Sequence, residues 1–172
     1  MRAIVALPRN RISTVLVMAI PPTRVAQREA GQEWLLSHSD HPADLLAAWD
    51  VDTLGPLATD RHWRVGEAPL ALSMDAMTRI GSRRCGPVLA DVPNLVTWWL
   101  LPPDLGDELA DLRQITIHPI GWELRAPAAV HPIRGRVWLG TLDGSGQLTD
   151  PVLLGAALGP GGGPRIPAEA LG

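Results

Sequence analysis

The chain has no lysine, no tyrosine and no phenylalanine, and a single cysteine, Cys85. Each absence excludes something. Without lysine there is no Walker-type phosphate loop, whose glycine run must be followed by that residue. Gly144-Ser145-Gly146 and Gly161-Gly162-Gly163 are therefore plain glycine-rich segments. One cysteine rules out an intrachain disulfide and a cysteine-based zinc site, and a reducing cytoplasm is the expected location. The G-x-S-x-G nucleophile elbow is missing as well. With neither Phe nor Tyr, the aromatic core has to be built from seven Trp, each with an indole N–H that needs an acceptor once buried.

All fifteen basic residues are arginine, set against eighteen Asp and Glu, so the net charge is −3. A chain devoted to gripping a phosphate backbone is usually basic. That balance argues against tight non-specific nucleic-acid binding but leaves room for a local arginine patch. At 172 residues the expectation is one domain, residues 23–158, with an N-terminal extension or strand over 1–22 and a disordered Gly/Pro tail over 159–172. The apolar run 14–20 is too short to span a bilayer, so no membrane association is expected.

Periodicity gives an α+β fold: a mixed or antiparallel sheet with helices packed on its faces. Residues 24–38 form an amphipathic pattern with Val25, Ala30, Trp34 and Leu35 on one side, broken by His41-Pro42. Residues 44–49 form a second short helix with Leu45, Leu46 and Trp49 inward, and 50–60 reads as loop. A strand begins at 63–65. A helix follows, carrying Met74, Met77 and Ile80, with Ser73 as N-cap and Gly81 as its stop. The two most apolar segments, 87–90 and 96–101, flank Asp91-Val92-Pro93-Asn94 as a hairpin; in a strand, Trp98 and Trp99 point to opposite faces. Asp104 is placed to cap a helix through Leu112. Segments 114–118 and 122–125 read as a second hairpin or a bulged strand, 136–139 as the last strand, and Asp150-Pro151 as the cap and first turn of a helix over 152–158.

Most ionisable clusters have plain readings. His38 and His41, with Asp40 and Asp44 nearby, have a spacing that could hold a metal on a helix, but Pro42 interrupts helix there and a solvated loop is expected. Asp104, Asp107, Glu108 and Asp111 lie along one solvated helix face. Arg79, Arg83 and Arg84 suit a helix C-terminus.

The order of several short motifs resembles the archaeo-eukaryotic primase type of primase–polymerase, in particular the bifunctional DNA primase/polymerase N-terminal domain and its degenerate relatives. The motifs are His41-Pro42 with Trp49, W-R-V-G-E-A-P over 63–69, G-P-V-L-A over 86–90, the stretch 121–139, and D-P-V-L-L-G-A-A-L over 150–158. The resemblance covers roughly residues 38–158. It implies a primase–polymerase-like fold, a DNA or nucleotide partner, and nucleotidyl transfer by two metal ions held on acidic residues of the first strand. Here Arg64 stands near the first of those acidic positions, Glu67 near the second, and no histidine occurs within 96–101. The third acidic position meets His118 or Glu123.

The expectation is therefore a degenerate site in an accessory protein that associates with nucleic acid or nucleotide. Glu67, Asp91 and His118 are the candidate catalytic residues, none of them assigned a role outright. Arg64, Arg125 and Arg136 are the candidate nucleotide- or nucleic-acid-binding residues. No metal or other cofactor is expected, Mg or Mn entering only if an altered active site survives. The alternatives are that active primase or polymerase, with Glu67 and Asp91 as metal ligands, and a protein-interaction module.

Overall fold

A computed structural model of the chain describes residues 22–140 and 142–159. The two terminal segments expected to be extension and tail lie outside them, except for Pro22, which begins the first helix, and Gly159.

The fold is α+β, and every strand pairing is antiparallel. Helix α1 (Pro22–Ser37) and helix α2 (Pro42–Asp50) are separated by the His41-Pro42 break, as their sequence requires. Strand β1 (Gly55–Ala58) follows, then β2 (Arg64–Pro69) and helix α3 (Leu70–Ile80). Strands β3 (Val88–Asp91) and β4 (Val96–Leu101) form the expected hairpin. Then come β5 (Thr116–Ile117), β6 (Glu123–Ala126), β7 (Arg136–Trp138) and helix α4 (Pro151–Leu158). The main sheet runs β5-β2-β4-β3-β7, and β1 and β6 pair as a separate ribbon.

Register decides what each face carries. Glu67 opposes Trp98, which opposes Leu89, which opposes Trp138. With side chains alternating, Val65, Glu67, Leu89, Asp91, Val96, Trp98, Leu100, Arg136 and Trp138 share one face. The apolar members pack against Leu35 of α1, Leu45 and Trp49 of α2, and Leu57, Leu124 and Ala126 of the ribbon. The opposite face presents Ala68, Val88, Trp99 and Leu101 to Ala76 and Ile80 of α3 and Leu154 and Ala157 of α4. Trp98 and Trp99 thus sit in different cores. Four of the buried indoles find acceptors: Trp49 at the carbonyl of Ala126, Trp138 at that of Pro127, Trp99 at the Ser73 hydroxyl, and Trp98 at Glu67.

Several local expectations are corrected. Residues 55–58 are strand β1, because Leu57 is completely buried and the segment has β6 to pair with. Helix α3 starts at Leu70, so Ser73 is an interior, buried residue whose hydroxyl serves Thr97 and Trp99 rather than capping. Gly81 does end that helix, at φ 84°. Residues 103–114 form turns rather than a helix; only Leu109 is buried there, and Gly106 and the preceding prolines favour short loops. β5 and β6 do not pair with each other: the turn at 119–121 carries the chain from the main sheet to the ribbon. Leu46, expected inward, is exposed, as is Val25. Asp150 caps α4 as its sequence predicts, accepting from the N–H groups of Val152 and Leu153 at 2.8 and 3.2 Å. Among the described residues no helix is long and apolar enough to cross a membrane.

Candidate functional site

Four of the six candidate residues lie along one polar row at the rim of the first sheet face. Glu67 is at its centre. One oxygen, Oε2, accepts from Trp98 Nε1 at 2.9 Å and lies 2.9 Å from His118 Nε2. The carboxylate is only an acceptor, so His118 presents its Nε2 proton to Glu67, which leaves Nδ1 as the lone-pair nitrogen of the neutral ring. His118 lies flat against Trp122, with ring centroids 3.7 Å apart and an interplanar angle of 8°. The imidazole is thus held at its edge by a carboxylate and across its face by an indole.

On the far side of Trp98 stands Arg136, its guanidinium carbon 4.6 Å from the ring centroid. Arg136 Nε donates to Asp91 Oδ2 at 3.0 Å, and its Nη1 donates to the carbonyl of Arg125. Asp91 ends β3 facing the turn, where its two oxygens also accept from the backbone and side-chain nitrogens of Asn94 at 3.2 and 3.0 Å. Burial raises the Asp91 carboxyl, but the Asn94 bonds and the Arg136 guanidinium outweigh it and hold the group below its ordinary value. The row therefore reads Trp122, His118, Glu67, Trp98, Arg136, Asp91, contributed by four strands of the main sheet and by the segment between β5 and β6.

Arg64 and Arg125 stand apart. Arg64 is three residues from Glu67 and so on the opposite face of β2. It reaches round the sheet end to donate to the carbonyl of His118 at 3.1 Å, while its buried Nε has no partner. Arg125 projects outward from β6 and pairs with Glu123 at 2.6 Å, both side chains about half exposed.

Glu67 and Asp91 face the same way but do not converge. Strand β4 separates β2 from β3, and Glu67 is level with Leu89 rather than with Asp91. Two strand spacings of ~4.8 Å, plus a further two-residue offset, put them well beyond the reach of one pair of metal ions ~4 Å apart. Trp98 and Arg136 fill the interval. Among the described residues no group of three or more His, Cys, Asp or Glu side chains is gathered closely enough to hold a metal ion.

Trp98 and Trp122 are the members of the row that were not singled out as site residues from sequence. Nothing in a single sequence ties Trp122 to His118 before the 119–121 turn is seen to fold them together. Cys85, by contrast, is buried, and burial pushes its thiol up despite a bond with Thr149, so it is an inert core residue.

No family model, curated protein or solved structure matches the chain.

Proposed function

We propose that this is a catalytically degenerate primase–polymerase-like domain that associates with nucleic acid or nucleotide and does not polymerise. The observation that carries the reading is the engagement of Glu67. It is the acidic side chain on the strand where the resemblance puts metal ligands, and its Oε2 is already bonded to Trp98 and His118. A divalent ion there would have to displace an indole and an imidazole and would gain one carboxylate, whereas two-metal catalysis needs several carboxylate oxygens around both ions. Asp91 offers no relief, being tied to Arg136 and Asn94 at a distance.

What remains is a surface of planar groups and guanidinium. The rim combines the partly exposed Trp122, the stacked His118, Arg136 over Trp98, and the exposed Arg125. Rings offer stacking surface to bases, and arginine forks match phosphate oxygens. With a net charge of −3, binding is expected to be modest and local rather than a wrap of backbone.

The test is a metal-free titration of a fluorescent single-stranded oligonucleotide, and separately of a nucleoside triphosphate, at low and high salt. Saturable binding that weakens with salt and falls about tenfold in Arg125→Ala plus Trp122→Leu supports the reading. Absence of binding to either ligand in the wild type would leave a protein-interaction module as the better account.

A further inference from the structure

We infer that the groove between the C-terminal half of α3 and the end of β7 receives a segment of this same chain, the apolar run 14–20, which lies outside the described residues. The groove has a volume of about 280 Å³ and is walled by Met74, Met77, Cys85, Leu139 and Gly140, with no charged side chain among its lining residues. An apolar cavity of ~150 Å³ already takes a benzene-sized group, so aliphatic side chains fit here.

Sheet geometry explains why the groove exists. Helices α3 and α4 pack on the second face of the main sheet over Val88, Trp99 and Leu101, and β7 lies beyond them. On β3, Val88 and Ala90 are completely buried. One strand farther out on the same face, Val137 and Leu139 are only half-buried. On the helix side Met74 is 48% exposed. β7 is also the last strand of its sheet, and among the described residues no strand pairs with its outer edge. A strip of uncovered apolar side chains beside an open strand edge is a surface that a further segment can cover.

The path of the chain selects the occupant. Gly140, at one end of the groove, also borders a polar crevice lined by Arg24, Gln27 and Arg28. The first turns of α1 therefore stand beside the groove's rim. α1 begins at Pro22, so the run that ends at Ile20 joins the described fold at that rim. Extended at ~3.3 Å per residue, a run of that length reaches roughly 20 Å, enough to lie along the groove. Its composition suits the surface: it holds no charged residue, and Thr14, Val15, Val17 and Ile20 are β-branched. The other terminal segment is the weaker match. Arg79 donates to the carbonyl of Ala157 at 2.6 Å, which brings the exit of α4 near α3 as well. Beyond it, however, the large aliphatic residues Ile166 and Leu171 are isolated among glycine, proline and alanine.

The experiment uses the full chain and two readouts. Hydrogen exchange follows the backbone amides of residues 14–20. Expected is exchange about tenfold slower than in a free peptide of the same sequence, returned to the peptide rate by Met74→Glu. Leu72→Glu, at a partly exposed position of the same helix outside the groove, should leave the protection unchanged. The second readout is photo-crosslinking, with p-benzoylphenylalanine in place of Val17 in one sample and of Ile166 in another. Expected is an adduct within one molecule from position 17 to Met74, Met77 or Leu139. Three results overturn the proposal: peptide-rate exchange over 14–20 in the wild type, adducts from position 17 only between two molecules, which would assign the groove to a second copy, or adducts in the groove from position 166 and none from 17. None of these bears on oligonucleotide binding at the sheet rim, so the two surfaces are tested independently.

Discussion

Glu67 is the residue on which the chemistry turns, and its environment makes it a structural acceptor. It bridges an indole N–H from β4 and an imidazole from the turn after β5. Glu67→Gln keeps the shape but replaces a charged acceptor with a neutral one. Because about a third of the side chain is exposed, the expected loss is at or below the low end of the ~1.5–3 kcal/mol associated with hydrogen bonds to charged groups. A urea midpoint equal to wild type would show that the bridge contributes nothing. Asp91 carries a pH signature. Its carboxyl titrates below the ordinary 3.8 in the folded protein, so its ionised form stabilises the fold above that pH, and the contribution is lost as pH falls through the folded value. Wild type should be more stable than Asp91→Asn at neutral pH, with the gap closing as the solution is acidified below about pH 4. Parallel stability curves for the two proteins across that range would remove Asp91 from the account.

At the scale of elements, what was legible in the sequence was what local pattern determines. The β3–β4 hairpin was readable because two apolar arms flank turn residues, and α4 because Asp150-Pro151 marks its start. Strand β1 was hidden, since Gly55-Pro56 reads as turn and the strand exists only through β6, more than sixty residues on. The role of Ser73 was misread for a related reason. A serine before an apolar run suits a cap, but its partner, Trp99, lies on a strand whose register no local pattern gives. The row of site residues shows the same division. Glu67, Asp91 and His118 were nameable as residue types, whereas their separation into a Glu67–His118–Trp98 group and an Asp91–Arg136–Asn94 group follows from strand order. One element-level contact is open to direct test. Gly140, just after β7, passes so close to the chain before β3 that a Cβ there would sit 2.1 Å from the Gly86 carbonyl oxygen. Backbone cannot yield as a flexible side chain can, so Gly140→Ala should cost at least the ~1–3 kcal/mol typical of overpacking. A thermal midpoint within a degree of wild type would show that β7 adapts freely.

For the whole molecule, the two cores divide the labour. The α3–α4 side is apolar packing closed by Trp99, while the other side ends at its rim in the polar row and, farther round, in a cleft beside Trp63. The fold class was readable from periodicity; the function rests on how strand order distributes a few charged side chains. The central claim is that this distribution cannot support metal-dependent polymerisation. It is tested most directly by a primer-synthesis and extension assay with Mg²⁺ and with Mn²⁺, using wild type and Glu67→Ala. The account predicts no nucleotide incorporation by either protein with either ion. Incorporation by the wild type in Mn²⁺ that disappears in Glu67→Ala would contradict it, because Glu67 would then have left Trp98 and His118 to hold a metal.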